Sequence, residues 1–376
     1  MTDLSELRNK IDEIDHNIVQ LYEQRMEISK EVATYKINTG KNVFDKDRED
    51  QNLRAVKEVT HNDFNKHGVE ELFEQIMSMS RKLQYQLLTD SGTLGKLPFI
   101  GVDKLDLTTA RVVFQGAQGA YSQAAMEQYF GNDVKSFHVD TFRDAMVAIE
   151  EGSADFAVLP IENSSAGIVS EIYDLLVEFE NYIIGEQIIE IEHCLLGIPG
   201  TKKETLKSVY SHPQSLMQCE RYLSGHPHWK QISMQNNAFA AKKVADDKDL
   251  TQAAIAGAYA GRVYGLEVLE KGINDSNTNS TRFIIVCNQK IFLEDAKKIS
   301  ICFEIPHQSG SLYHILSHFI YNNLNLTKIE SRPIEGQNWE YRFFVDFDGN
   351  LSQSAVKNAL RGLRDESRNM KILGNY

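Results

Sequence analysis

LRNKIDEIDHNIVQLYEQRMEISKEVATYK, residues 7–36, decides how the N-terminal part of this chain folds. Together with Leu4, its residues Leu7, Ile11, Ile14, Ile18, Leu21, Arg25, Ile28, Val32 and Tyr35 fall alternately three and four positions apart, the spacing that lines one face of a long α-helix. The pattern predicts one continuous buried stripe with Arg25 inside it. A guanidinium stays charged at neutral pH, so a buried one needs an anion. Lys36 follows eleven residues later, about 20° around and roughly 16 Å along the helix, so two long cationic side chains converge on one space. Arg8 stands roughly 100° around and about 25 Å away, too far to join them on a straight helix. It would have to arrive from a second subunit.

The surrounding segment supports an all-α reading, because residues 1–92 contain no Pro and only Gly40 before Gly68. Asp45 is placed to cap a second helix, with Arg48 and Glu49 in its first turn. In a third helix Ser80 and Gln84, four apart, interrupt the apolar face marked by Leu72, Phe73, Ile76, Met77, Leu83 and Leu87. Structural ion pairs would account for any one of these residues. The whole set turned toward one interior points instead to a bound anion.

These residues carry a family likeness. LRNKIDEID, the pattern Glu23–Lys36, DKDRE at Asp45–Glu49 and SRKLQ at Ser80–Gln84 resemble the all-α chorismate mutases. The resemblance implies rearrangement of chorismate to prephenate, which needs no nucleophile and no general base. Fixed cations would hold the dianion in a reactive shape and stabilise charge growing on the ether oxygen. Residue by residue it implies Arg8 of a partner chain, Arg25 and Arg48 on carboxylates, and Lys36 and Gln84 as donors to the ether oxygen. Glu49 would accept from the substrate hydroxyl, with Asp45 and Ser80 lining the pocket.

Composition bounds the rest. At 376 residues with 42% hydrophobic and 25% charged side chains, the chain exceeds one ordinary core and predicts several domains rather than disorder. A formal net charge of −13 would repel a phosphate backbone, which argues against a nucleic-acid partner. Cys194, Cys219, Cys287 and Cys302 form no C-x-x-C pair, so reduced thiols are expected rather than a disulfide framework or a zinc site. No run approaches the roughly 18 apolar residues of a membrane span, and the charged N-terminus has no signal-peptide core. A cytoplasmic location without membrane partners is expected.

The stretch Thr89–Thr109 mixes Gly, Pro and Ser with no sustained period, and residues 93–108 read as a linker. From 109 to 288, short apolar runs alternate with helical patterns, which predicts an α/β domain with a mainly parallel sheet. Three loops stand out: GAQGAYSQAA (Gly116–Ala125), PIENSSAG (Pro160–Gly167) and SHPQSLMQC (Ser211–Cys219). None is G-x-G-x-x-G or a P-loop, so a nucleotide site is disfavoured. Each singly reads as a helix cap; three at strand ends of one domain point to a ligand cleft. NTNSTRFIIV (Asn277–Val286) adds Thr281 and Arg282 at the mouth of a strand.

Together these motifs resemble prephenate dehydratase. The resemblance implies two α/β subdomains, periplasmic-binding-protein-like, with the site in the cleft between them. The reaction expels CO2 and hydroxide from prephenate to give phenylpyruvate, and requires a proton donor to the departing hydroxyl but no metal or other cofactor. Thr281 is the implied donor; Ser122, Glu162, Asn163, Ser211, Gln218 and Arg282 are implied around the substrate. Met234–Asn237 departs from a hydroxyl-rich stretch usual in the family, so an acid placed there in relatives does not transfer.

Residues 297–376 predict a βαββαβ order, a ferredoxin-like α+β fold. HQSGSLYHIL (His307–Leu316) and NLTKIESRPIEG (Asn325–Gly336) resemble the ACT regulatory domain, with GSLY in place of the usual GALV. This implies L-phenylalanine held between two chains by Gly310, Ser311, Leu312, Glu330, Ser331, Arg332 and Pro333, and inhibition by product. A dimerisation module without ligand is the plain alternative. His314 and His318, four apart, imitate a zinc pair but lack a third ligand and read as helix-flank residues. The whole predicts a multidomain, bifunctional enzyme of phenylalanine biosynthesis acting as a homodimer or larger homo-oligomer. A non-catalytic amino-acid sensor would have no use for the inward cations, and a fusion to an NAD-linked dehydrogenase would need the missing glycine fingerprint.

Overall fold

The computed structural model describes residues 3–92, 97–337 and 339–376; residues 93–96 of the expected linker lie outside them. The chain divides into two compact units, Met1–Phe99 with Ala296–Ile372, and Ile100–Asp295 with Leu373–Tyr376. The four-part division read from the sequence is therefore regrouped, since the helical and C-terminal segments share one unit. Within the expected linker, Ile100–Val102 forms a strand parallel to Ile291–Leu293.

In the first unit, helix α1 (Leu4–Thr39) starts where the Asp3 side chain accepts from the Ser5 N–H and stops at Gly40, in the left-handed region at φ 67°, which glycine adopts without a Cβ clash. Helix α2 (Lys46–Glu58) is capped by Asp45 as expected, its carboxylate accepting from the Arg48 N–H. Helix α3 (Asp63–Asp90) is capped by Asn62. Ala33, Val43, Met77, Tyr85 and Leu88 are buried among them. The stripe on α1 is not. Leu4, Leu7, Ile11, Ile14, Ile18, Leu21 and Ile28 are 43–64% exposed, because no described element of the same chain covers that face.

The C-terminal part of this unit has the predicted βαββαβ order. Its strands lie side by side as Leu326–Pro333, Tyr341–Asp348, Lys298–Glu304 and Arg368–Asn375, the first three joined by antiparallel ladders. Helices Ser311–Tyr321 and Ser354–Glu366 contribute Phe319, Val356, Leu360 and Leu363 to a core with Ile299, Ile301 and Phe347. The two helices meet at Gly362, where a Cβ would collide with the His318 ring. His318 is 1% exposed, which corrects its reading as a flank residue: the missing side chain at 362 makes room for the imidazole.

Besides the two-stranded pair of Ile100–Val102 with Ile291–Leu293, the second unit contains two larger sheets. In the first, Arg111–Gln115 pairs in parallel with Lys135–Val139 and Phe156–Asn163, while Ser280–Cys287 runs antiparallel to Phe156–Asn163 and Tyr182–Glu190. In the second, Gln252–Ala256, Ser208–Ser211 and Lys230–Ser233 are parallel, and Cys194–Gly197 and Glu267–Glu270 add antiparallel strands. Both sheets are mixed rather than mainly parallel, because the chain crosses from one to the other at 190–194 and returns at Ser280. Val112, Phe114, Val158, Ile184 and Phe283 centre one core; Leu195, Val209, Ala253, Ile255 and Trp229 belong to another. The four cysteines are free and buried. Among the described residues, no helix is long and apolar enough to cross a membrane.

Candidate active sites

Helices α1, α2 and α3 enclose a cavity of about 340 Å³ whose walls include Arg25, Lys36, Asp45, Arg48, Glu49, Ser80 and Gln84. Every residue singled out in the helical segment is there except Arg8, which stands exposed near the start of α1. Helical periodicity explains the convergence: Arg25 and Lys36 share a face of α1, and Ser80 and Gln84 sit one turn apart on α3.

The charge in this cavity is unspent. The Arg25 Nη1 donates to the Ser80 Oγ at 2.5 Å, and the Lys36 Nζ donates to the Val43 carbonyl at 2.6 Å. Both partners are neutral. Burial pulls both cations below their ordinary pKa values; Glu49 opposes this for Arg25, and Asp45 and Glu49 oppose it for Lys36. Gln84 is buried, and its side-chain oxygen has no hydrogen-bond partner among the described residues. A small anion there would accept from Arg25, from Lys36 and from the Gln84 side-chain NH2, while the Gln84 oxygen, itself an acceptor, would need a donor.

Glu49 is engaged by a residue the sequence reading passed over. Arg81, buried, donates from Nη1 to Glu49 and reaches Glu366 with its Nε at 2.7 Å and Nη2 at 3.3 Å. Burial alone would lower the Arg81 pKa, but the two carboxylates raise it. Burial alone would raise the Glu366 carboxyl, yet His318 and Arg81 hold it down at about 2. Glu366 stands 285 positions from Arg81, so no local pattern announces the pair.

In the second unit, Thr281 faces Asn163 and Arg282 faces Glu162 across adjacent strands. The Asn163 Nδ2 donates to the Thr281 Oγ1 at 2.9 Å and to the Asn279 Oδ1 at 2.9 Å. The Asn279 Nδ2 donates to the Gln218 Oε1 at 3.1 Å, and the Gln218 Nε2 donates to the Ser165 Oγ at 2.7 Å. His193 joins Gln218 at 2.9 Å and Tyr121 at 3.1 Å. One polar network thus links Thr281 with Asn163 and Gln218. His193, Tyr121 and Asn279 are its unforeseen members; His193 lies where the chain crosses between sheets, outside any motif. Burial lowers the His193 pKa, with the Gln218 bond opposing it.

Other expectations are redirected. Arg282 Nε lies 2.9 Å from the Glu162 carboxylate and Nη1 lies 3.3 Å from that of Glu186. Its buried charge is matched within the sheet, because consecutive strand residues point to opposite faces and Arg282 turns away from Thr281. The Ser122 and Ser211 hydroxyls, both buried, donate to the Gln115 and Ile255 carbonyls at 2.6 Å each. Within the departing stretch Met234–Asn237, Asn236 caps a helix, and the Asn237 Nδ2 donates to the Ser215 Oγ at 2.9 Å. A separate cavity of about 180 Å³ has Tyr121, Ser122, Pro160, His212, Asn236 and Phe283 in its walls. Burial lowers the His212 pKa.

In the C-terminal fold, a cavity of about 480 Å³ is lined by Gly310, Ser311, Leu312, Tyr313 and Trp339, among others. Glu330, Ser331, Arg332 and Pro333 do not line it. They stand on Leu326–Pro333, the outermost strand of that sheet, so one chain does not bring the two motif sets together.

Comparison with known proteins identifies two catalytic regions of the chain. The chorismate mutase type II family model matches residues 7–85, and the prephenate dehydratase model matches residues 112–291. The bifunctional chorismate mutase/prephenate dehydratase of Escherichia coli K12 is 34% identical, over 98% of this chain and 95% of that protein. The structure of prephenate dehydratase from Arthrobacter aurescens, in complex with L-Phe, is 31% identical with a TM-score of 0.65, covering 71% of this chain and 89% of that one. A structure described as a quorum quenching acylase has the same identity and TM-score, covering 71% of this chain and 97% of that one. The chain belongs to the bifunctional chorismate mutase/prephenate dehydratases, uniting an isomerase and a carbon–oxygen lyase on one polypeptide.

Proposed function

We propose that the cavity of α1–α3 is the mutase site, that Thr281 and its network form the dehydratase site, and that the C-terminal fold is an ACT domain through which phenylalanine inhibits. The observation that carries the reading is the pair Arg25 and Lys36, both partly desolvated and bonded only to neutral groups. Chorismate offers two carboxylates and an ether oxygen. Arg25 and Arg48 take the carboxylates, while Lys36 and Gln84 donate to the ether oxygen as its C–O bond breaks. A fixed cation in a dry site costs no reorganisation when that charge develops. Glu49 accepts from the substrate hydroxyl, Asp45 caps α2, and Ser80, inside α3, accepts from Arg25. Arg8 enters from a second copy of the chain, a homodimer being supported by the uncovered stripe on α1.

In the dehydratase, the Thr281 hydroxyl accepts from Asn163 and is left with its own proton to donate to the departing hydroxyl of prephenate. Asn163, Gln218 and Ser122 shape the surroundings; Ser211 supports the loop, and Glu162 with Arg282 acts behind the sheet. Regulation has its support in the cavity at Gly310–Leu312, in the edge position of Glu330–Pro333, which a second chain can reach, and in the L-Phe complex of the Arthrobacter relative.

One assay tests the reading: purified full-length protein receives chorismate without NAD, and phenylpyruvate is followed with and without phenylalanine. Wild type produces phenylpyruvate, and phenylalanine slows it. Lys36→Ala lowers mutase kcat ~10²–10³-fold while still converting supplied prephenate; Thr281→Ala does the reverse. Near wild-type mutase turnover in Lys36→Ala removes the cavity from the mechanism.

A further inference from the structure

The Arg81 bridge raises a question that the mutase chemistry leaves open. Glu49 lines the α1–α3 cavity, yet the guanidinium that engages it is anchored outside the helical segment. Glu366, the last residue of helix Ser354–Glu366 in the same compact unit, takes the Nε and Nη2 edge of Arg81, leaving Nη1 for Glu49. The Glu366 side chain is 7% exposed and that of Arg81 is 9% exposed. The Glu366 Oε2 also lies 3.2 Å from the His318 Nε2, so the carboxylate is held from two sides. The guanidinium fork is rigid and planar. Once one edge is fixed on Glu366, the direction in which the other end holds Glu49 is fixed too.

We propose that Arg81 is a positioning residue of the mutase reaction, that Glu366 orients it, and that the C-terminal fold thereby completes the mutase pocket. With Glu366 in place, Arg81 gives Glu49 a single bond from one side and leaves carboxylate lone pairs for the substrate hydroxyl. Without the Glu366 charge, the fork is free to turn both its nitrogens onto Glu49. That acceptor then leaves the substrate, and the charge balance around Arg25 and Lys36 shifts with it. The inference rests on the mutase assignment of this cavity and names a residue of the C-terminal fold as part of its support.

The test uses the full-length chain. Glu366→Gln keeps the shape and removes the charge; Ser317→Ala removes a neighbouring contact to α3, the 2.7 Å bond from Lys82, without touching Arg81. Chorismate KM and kcat, prephenate turnover and thermal unfolding are measured for each. Glu366→Gln is expected to lower mutase kcat/KM by about tenfold, mainly through KM because Glu49 binds a substrate group, with prephenate turnover unchanged. Ser317→Ala stays within twofold of wild type, and Arg81→Lys loses less than Arg81→Met. If Glu366→Gln does not fold, Glu366→Asp, which keeps the charge but shortens its reach, is expected to show a smaller KM rise in the same direction. Mutase kcat/KM within twofold of wild type in the folded Glu366 variant overturns the proposal, as does an equal loss in Ser317→Ala. Lys36→Ala separates the two readings: loss there with none in the Glu366 variant leaves the cavity assignment standing and removes only the role of Arg81 and Glu366.

Discussion

Lys36 illustrates how one side chain is tuned by its surroundings. Burial disfavours its ammonium form more than Asp45 and Glu49 favour it, so its pKa lies below the usual lysine value. In the proposed mechanism the protonated form is the donor, and it is lost as pH rises through that lowered pKa. Mutase kcat/KM is therefore expected to hold near neutral pH and to fall on an alkaline limb below the ordinary lysine range. The limb should move to higher pH in Lys36→Arg, because a guanidinium keeps its proton. A pH–rate profile on chorismate checks this, and an unmoved limb excludes Lys36 as its source. At this scale the sequence was legible wherever a repeat sets direction: Arg25, Lys36, Ser80 and Gln84 were placed together by helical spacing alone. Arg282 was expected around the substrate by its adjacency to Thr281; its pairing with Glu162 and Glu186 follows from strand alternation, which a motif does not express. Arg81, one position beyond Ser80, stayed hidden because its meaning depends on Glu366.

Among the elements, α1 is the one a single chain leaves unfinished. Its apolar stripe was read as a buried stripe, and a single chain leaves it exposed; periodicity reports that a face will be covered, and is silent on which polypeptide covers it. A full Leu or Ile side chain withdrawn from water contributes ~1.5–3 kcal/mol, so a row of them left wet is a strong drive to pair. Ile14→Glu puts a carboxylate in that row. It is expected to convert the assembly to monomers in analytical ultracentrifugation and to lower mutase kcat/KM at least ~10-fold, because Arg8 of the second copy leaves with its helix. A dimeric Ile14→Glu with full mutase turnover would show that the stripe has another use. Strand elements were harder to read than helices: short apolar runs signalled the α/β class, but the direction of each strand depends on the two crossings between sheets, which no local pattern encodes.

For the whole molecule, the α1–α3 cavity and the Thr281 network share no residue and fall in separate units. Prephenate made in one is expected to travel as a free solute to the other. Mixing Lys36→Ala with Thr281→Ala protein should restore conversion of chorismate to phenylpyruvate after a lag, and the lag should shorten as protein concentration rises. Failure of the mixture, with each variant active in its remaining step, would require direct transfer within one assembly. The domain classes could be read from the sequence because each segment has its own texture of spacing and loops. Their grouping could not, since the contact between α3 and the C-terminal fold is made by a few side chains far apart along the chain.

The bare backbone of Gly362 against the His318 ring limits which substitutions this helix pair can accept. A methyl group at 362 has nowhere to go while an imidazole fills that space, and shrinking His318 first leaves a hole beside the Glu366 carboxylate. Neither position drifts alone without harm. The glycine and the histidine are therefore one fitted pair, and a substitution at either costs packing unless the other changes with it.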